Sequence, residues 1–376
     1  MSATSFSYWE QNFLINNIDV LIIGGGIVGM LTAIELKQKN KALHIAIAER
    51  GFIPQGATTR NAGFACFGSI SELISDAKTS SNKAVEELLT KRYQGLQRLR
   101  TIVADDVIDY HEHGGYELFT NQASYNLCCD NIAHFNAMAQ HAFGVANVYS
   151  VEDNAAAWKM RSTLSIKNKL EGQLNSGKLT LALQAKLIAL GITTYNGLDV
   201  QHLHEQGTHC VAVSKESYTI TAKKVIVTNN AFAKTLLPAL DVTPGRGQVM
   251  VTNVIDNLPW KGCFHYNDGY VYFRNIDGRV LLGGGRNVNF ETETTTDFGT
   301  TPDIQAYLIN LLNTLILPNT PYTIDYNWSG IMAFGETKNP IVQQLSPSVY
   351  CAVRMGGMGV ALGSLTAKEA ADLINL

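Results

Sequence analysis

The chain is short of charge, of paired cysteines and of long apolar runs. Asp, Glu, Lys and Arg make up only 16% of its 376 residues, below the usual quarter, and the formal net charge is −3. With no basic arm or stripe, nothing favours nucleic acid or an anionic membrane as a partner. No uncharged apolar run reaches the roughly 18 residues a bilayer crossing needs, so no transmembrane segment is expected. The first residues, MSATSFSYWEQNF, carry neither the basic nor the apolar stretch of a secretory signal. None of the six cysteines (Cys66, Cys128, Cys129, Cys210, Cys263, Cys351) stands in CxxC spacing. A chain of this length does not depend on disulfides, so they read as reduced thiols of a cytoplasmic protein. The close histidine pairs, His111 with His113 and His202 with His204, lack partners at metal-ligand spacing, and no metal centre is expected.

What the chain does have is a 46% share of hydrophobic residues, enough for a substantial core, and 32 glycines placed unevenly. The run DVLII leads into GGGIVG and then MLTAIELKQKN, apolar at helical spacing with lysines towards its end. LHIAIAER follows, with Glu49 closing the strand. This is a βαβ unit carrying GxGxxG (Gly24, Gly26, Gly29) between first strand and helix. The first glycine permits the turn, the second lets a pyrophosphate approach the backbone, and the third lets helix and strand pack closely. Ile27 and Val28 open the helix, whose free N–H groups suit phosphates. Glu49, about 20 residues on from Gly29, stands where a carboxylate accepts bonds from a ribose. The motif does not by itself decide between FAD and NAD.

The sequence continues into GATTRNAGFACFGS, residues 56–69, where small residues recur almost without a break. Beyond it, residues 82–112 read as largely helical and residues up to about 150 as less regular. A helix spans 178–190 before Gly191, strands lie near 192–200, 209–214 and 219–228, and alternation over 241–290 reads as antiparallel sheet. Residues 302–316 read as helix, VYCAV as a strand, and RMGGMGVALGS leads into a terminal helix.

Four blocks together resemble the FAD-dependent D-amino-acid oxidase superfamily, and within it the branch of glycine oxidase, sarcosine oxidase and γ-glutamylputrescine oxidase. They are DVLIIGGGIVGMLTAIEL with IAER; GATTRNAGFACFGS; KKVIVTNNAFAKTLLP with VTPGRGQVMVT; and WSGIMAFGETKNPIV with VYCAVRMGGMGVALGSLTAKEAADLI. The resemblance implies an α/β, Rossmann-like FAD-binding domain made of residues 1–85, 148–240 and 328–376. An α+β substrate domain on an antiparallel sheet would comprise 86–147 and 241–327. It implies oxidation of the C–N bond of a small amine or amino acid, with hydride passing to flavin N5.

For the cofactor, the resemblance implies contacts from Glu49 and Arg50, from the segment Thr58, Thr59, Arg60, Asn61, Ala62, Gly63 and Phe64, from Val200 and Asn229, and from Gly356, Gly357, Met358, Gly359 and Val360 at the last helix. The position matching sarcosine oxidase's flavin-tethering cysteine is Gly330, so FAD is expected to be non-covalent. Glycine oxidase's carboxylate-binding arginine matches Met332, which puts that route of amino-acid binding in doubt. Arg354 replaces a glycine often found before the last helix and is read as facing flavin, substrate carboxylate or solvent.

No side-chain base is obligatory for such chemistry, and no catalytic residue is assigned. Tyr270, Tyr272 and Arg274 have period-two spacing and would share a strand face; with Tyr266, Met332 and Arg354 they are the expected substrate contacts, unless that face is ordinary sheet surface. Arg246 and Trp328 are read as pocket or structure, and Cys66 as a small buried filler rather than a thiol catalyst. Two other readings stand beside an amine oxidase. One is a tRNA-modifying oxidase of the same fold, disfavoured by the acidic charge; the other is a non-catalytic or electron-transfer FAD subunit of a larger dehydrogenase. Substrate, electron acceptor and oligomeric state are not legible.

Overall fold

A computed structural model of the protein describes residues 6–153 and 155–375. Two eight-stranded sheets organise it. The first runs Ile341–Gln344, Val349–Val353, Thr219–Val227, Ile18–Ile23, Ile45–Glu49, Thr193–Asn196, with a ribbon of Val200–Gln206 and His209–Ser214 attached to Thr219–Val227. Its inner pairings are parallel. Strands covered on both faces must be apolar at nearly every position, and Ile45–Glu49 is buried at all five. The first helix, Ile27–Lys39, is buried without interruption from Ile27 to Glu35 and Leu36, and Lys37 and Lys39 lie in its last turn, where they favour the helix dipole. The terminal helix, Gly359–Leu373, packs on it through small residues, Gly363 lying against Ile27. Ser364 Oγ donates to Gly95 O of the helix Asn82–Ile102 at 2.5 Å.

The second sheet runs Ile324–Phe334, Thr243–Thr252, Arg279–Gly284, Val271–Ile276, Cys263–Tyr266, Gly115–Phe119, Leu164–Asn168, Tyr149–Val151. It is antiparallel except where Cys263–Tyr266 meets Gly115–Phe119. One face is covered by Pro302–Leu311 and its continuation to Ile316, packed on Phe264, Phe273, Val280 and Leu282. The other face looks towards the first sheet and roofs a cavity.

Several sequence expectations change here. The region before residue 150 contains a 22-residue helix, Gln122–Phe143. Its Asn, Cys and His content hides its periodicity, and its clearest signals are its ends: Asn121 accepts from Ala123 N and Ser124 N, and Gly144 closes it at φ 75°. The helix expected over 82–112 stops at Ile102. Tyr149–Val151 and Leu164–Asn168, expected with the first sheet's half, hydrogen-bond into the second. Ile324–Phe334 pairs with Thr243–Thr252 along its length, so residue 328 lies inside a strand of the second sheet rather than at a boundary. Among the described residues no helix is long and apolar enough to cross a membrane.

Candidate cofactor and substrate site

One cavity of about 1110 Å³ runs between the two sheets, above the usual range of roughly 300–1,000 Å³ for small-molecule sites. Its floor begins at the βαβ turn. Gly24 has φ 114°, and a Cβ on Gly29 would lie 2.0 Å from Gly24 O, so neither position admits a side chain. Gly26 is different: a Cβ there would meet only Thr58 Oγ1, at 3.1 Å, and would otherwise point into open space. Gly26 N-caps the first helix without a side-chain bond. Ile27 N donates to Thr58 Oγ1 at 2.8 Å, tying this helix end to the GATTR segment. Glu49 binds the loop with both oxygens, accepting from Gly25 N and Gly51 N at 2.9 Å each. Arg50 lies over the Phe232 ring, 3.7 Å from its centroid, and Val200 lines the cavity nearby.

The small-residue stretch forms the helical turn Ala57–Arg60 and the two-residue strand Phe64–Ala65. Asn61 organises it: Nδ2 donates to Ala57 O and Thr58 O, and Oδ1 accepts from Gly63 N and Ser176 Oγ. Arg60 donates to Gln55 O and Ser329 O and stacks on Phe298. Trp328 Nε1 donates to Arg60 O at 3.0 Å, making Trp328 a brace between the second sheet and the floor. At the opposite end, Gly356, Gly357, Met358, Gly359 and Val360 line the cavity at the start of the terminal helix, which also lacks a side-chain cap.

The roof is set by register. Residues directly opposite in an antiparallel pair share a face. His265 pairs with Tyr272, so both line the cavity, whereas Tyr266 pairs with Val271 and turns to the far side, where its hydroxyl meets Thr120 Oγ1. Tyr270 and Tyr272 both line the cavity. Arg274 shares their face but is spent: Nε donates to Ala62 O at 2.5 Å and Nη2 to Leu174 O at 3.1 Å. It clamps the small-residue stretch and does not line this cavity.

Arg354 does not line it either. At φ 68° it holds a left-handed conformation, which is why a glycine suits this position. Its guanidinium donates to Asp241, to Asn339 O and to Thr337 Oγ1. Gly29, Thr59 and Gly63 also stand back from the cavity. Thr59 Oγ1 donates to Pro54 O, and Gly63 packs on Leu174 O. Arg246 points to the far face, paired with Glu293 at 2.8 Å. Met332 lines the cavity, as do the remaining expected cofactor residues, Gly330 with them, set against the Arg60 backbone.

Sequence reasoning missed His265 and its partner. His265 Nε2 lies 3.0 Å from Glu171 Oε2, and Glu171 Oε1 accepts from Phe67 N and Gly68 N. Burial opposes charge on both groups, but their mutual attraction and hydrogen bonds outweigh it. The carboxyl is held below its ordinary value, and the imidazolium is raised to about 9. Cys66 lies within 4.8 Å of both, the one buried cluster of metal-ligand type among the described residues. Burial, with Cys263 and Glu171 beside it, raises the Cys66 thiol far above its ordinary value, so it stays neutral. Burial likewise pushes Tyr272 up to about 12.

These residues fit a dinucleotide. Two helix ends whose N-cap residues make no side-chain bond face the cavity, the first with its Ile27 N–H held by Thr58 Oγ1, and the buried Asn229 Oδ1 lining it has no hydrogen-bond partner among the described residues.

The family match agrees with that fit. The family model described as "FAD dependent oxidoreductase" (DAO) matches residues 19–373. The bifunctional protein ThiO/ThiG of Nostoc sp. is 24% identical over 370 residues, 95% of this chain and 52% of that protein. The chain thus spans about half the length of such curated relatives. Among solved structures, L-proline dehydrogenase from P. horikoshii superposes with TM-score 0.74 at 17% identity, covering 96% of this chain and 94% of that one. Glycine oxidase from Geobacillus kaustophilus gives 0.73 at 20% identity, covering 94% of each. At such identities the superpositions speak for the fold, and the family match carries the assignment: this chain belongs to the DAO family of FAD-dependent oxidoreductases.

Proposed function

We propose that the protein oxidises the C–N bond of a small amine or amino acid, with FAD held non-covalently in the cavity between the sheets. One observation carries the reading: a single cavity joins the GxGxxG turn and Glu49 to a roof of Tyr272 and Met332, with Phe64 of the small-residue stretch against it. FAD, when bound, supplies the two-electron acceptor for amine oxidation. The chain's own residues do the rest. The helix start from Gly26 onward receives phosphates, with Ile27 N already held by Thr58 Oγ1, and Glu49 and Val200 receive the nucleoside. The start of the terminal helix turns N–H groups towards the cavity. Phe64, packed edge-on against Tyr272 and His265 with ring centroids 5.5 and 5.6 Å apart, excludes water from the reacting end. The tyrosine phenol, protonated at neutral pH, can donate a hydrogen bond but cannot serve as a resting base. In this proposal the first sheet's half is the FAD-binding domain and the second sheet's half the substrate domain, in a cytoplasmic protein. Glycine oxidase and L-proline dehydrogenase, by their names, act on amino acids, which supports the substrate class.

The decisive experiment is anaerobic mixing of the purified yellow protein with a panel of amines and amino acids. Bleaching of the oxidised-flavin band, at roughly 450 nm, by one class identifies the substrate, and re-aeration tests oxygen as acceptor. Failure of every member of both classes to bleach it defeats the reading.

A second reading, an FAD subunit passing electrons to a partner, is favoured by exposed aromatics near the start of the chain: Tyr8, Trp9 and Phe13 are 67%, 69% and 62% exposed. A bleached protein that re-oxidises only with a partner or carrier, and not with oxygen, would favour it.

A further inference from the structure

The arginines around the cavity differ in what they hold. Arg354, Arg274 and Arg60 all donate to protein oxygens, and Arg246, on the far face, is paired with Glu293. Arg50 is exposed, at the Glu49 end. Arg286 stands apart. It follows the strand Arg279–Gly284 and lines the cavity at the roof, beside Tyr270, Met332 and Phe334. Among the described residues no oxygen accepts a hydrogen bond from its guanidinium and no carboxylate lies within ion-pair distance.

Aromatic rings hold it in place instead. Arg286 Cζ lies 4.0 Å from the Phe334 ring centroid and 4.9 Å from that of Phe290. Contacts of this kind engage the flat face of a guanidinium and leave its in-plane N–H edge free. The strand beneath makes room: a Cβ on Gly245 would lie 3.0 Å from Arg286 Nη1 and 2.5 Å from Phe334 Cε2. Burial pulls the guanidinium below its ordinary pKa, with Tyr270 and Glu293 opposing from nearby. A half-buried cation with its donor edge unused is costly on its own and is relieved by an anion arriving in the cavity.

The geometry points to Arg286 as the residue that binds the carboxylate of the substrate, which makes the substrate an amino acid, free or N-substituted, rather than a simple amine. This rests on the C–N oxidation reading above and narrows it. Two parallel N–H donors of a planar fork match the two oxygens of a carboxylate, whereas an amine lacking that group leaves the fork unsatisfied.

The test uses FAD-loaded wild type, Arg286→Gln and Arg286→Lys, with retained yellow colour and thermal midpoint as the check that each variant is folded. Two readouts are taken. The first is kcat/KM for matched pairs with and without a carboxylate, glycine against methylamine and proline against pyrrolidine. The second is binding of propionate, followed by perturbation of the visible flavin spectrum and requiring no turnover. Arg286→Gln is expected to lower kcat/KM for the amino acid by about 100-fold, the worth of a pair of charge-assisted hydrogen bonds, and to leave the amine's rate within about threefold. Propionate binding weakens in parallel, and Arg286→Lys, which keeps charge but loses the fork, falls between. Equal propionate affinity in wild type and Arg286→Gln, or an unchanged amino-acid to amine ratio, overturns the assignment while leaving C–N oxidation standing. If no panel member bleaches the flavin but propionate binding still depends on Arg286, the oxidation reading fails and the anion site survives.

Discussion

Glycines shape both walls of the cavity, and they do opposite things. On the floor, Gly24 and Gly29 shape a turn, and Gly26 opens it so that backbone can reach a ligand. On the roof, glycines make sockets for side chains. A Cβ on Gly283 would lie 2.5 Å from Tyr272 Cε2, one on Gly247 2.9 Å from Met332 Cε, and one on Gly245 2.5 Å from Phe334 Cε2. Tyr272, Met332 and Phe334 therefore lie flat on their own sheet and keep the space beneath them open. Under the proposed function, the floor's glycines serve cofactor binding and the roof's set the shape of the space left for substrate.

The sharpest way to break that comparison is Gly26→Val. Its side chain would project into the cavity where the first helix begins, so FAD retention should be lost while the apo fold persists. The ratio of flavin to protein absorbance after purification measures this, with circular dichroism as the fold control. A variant that purifies fully yellow would mean the floor glycine is not at the phosphates.

Next in size is the link between the walls. His265 comes from the roof, and Glu171 holds the backbone N–H groups of Phe67 and Gly68 at the end of the small-residue stretch. Glu171→Gln leaves a buried imidazole without its counter-charge and should cost about 3–5 kcal/mol. The pH dependence has a definite sign. His265 is raised in the folded state to about 9, against an ordinary value near 6.5. The stability it contributes is complete below about pH 6.5 and is lost as pH rises through 9. The thermal midpoint of the wild type should fall across that window, and that of Glu171→Gln should fall less. Parallel profiles would show that the pair is not charged as described.

Smaller still are the sockets. Gly283→Ala must displace a rigid ring and should cost about 1–3 kcal/mol, whereas Gly247→Ala crowds the flexible end of a methionine, with the Tyr272 hydroxyl at ordinary contact distance, and should cost less than about 1 kcal/mol. Both should move KM more than FAD retention; the reverse pattern would make the roof part of the cofactor site.

The two walls also differ in how far the sequence reveals them. Spacing along one segment defines the floor: strand, GxGxxG, helix and an acidic residue at the end of the next strand are all local. The terminal helix start and the small-residue stretch were legible through resemblance. The roof depends on which residue faces which across strands, and a single sequence does not state register. Tyr266 reads as a companion of Tyr270 and Tyr272, yet the pairing of His265 with Tyr272 turns it away and brings in His265. Glu171 is 94 residues from His265, and nothing local joins them. Arg286 sits in a glycine-rich turn, where an arginine reads as solvated surface. Arg274 and Arg354 looked like substrate cations because charge is visible in a sequence, whereas the carbonyls and the carboxylate that occupy them are not.

Arg354 offers the smallest effect and the most specific one. Two terms oppose each other there. The left-handed conformation at φ 68° costs a non-glycine residue about 1–2 kcal/mol. The bonds to Asp241, Asn339 O and Thr337 return a comparable amount, reduced because the Asp241 side chain is 46% exposed. Arg354→Gly loses the bonds and relieves the strain, so its stability should stay within about 1 kcal/mol of the wild type. Arg354→Ala loses the bonds and keeps the strain, so it should fall about 1 kcal/mol further. Denaturant midpoints of the two variants isolate the conformational term, and equal midpoints would remove it. Neither variant should change KM for substrate, because the guanidinium is engaged by Asp241, Asn339 O and Thr337 Oγ1 and does not line the cavity. A rise in KM with Arg354→Gly would return this arginine to the substrate and dissolve the contrast with Arg286.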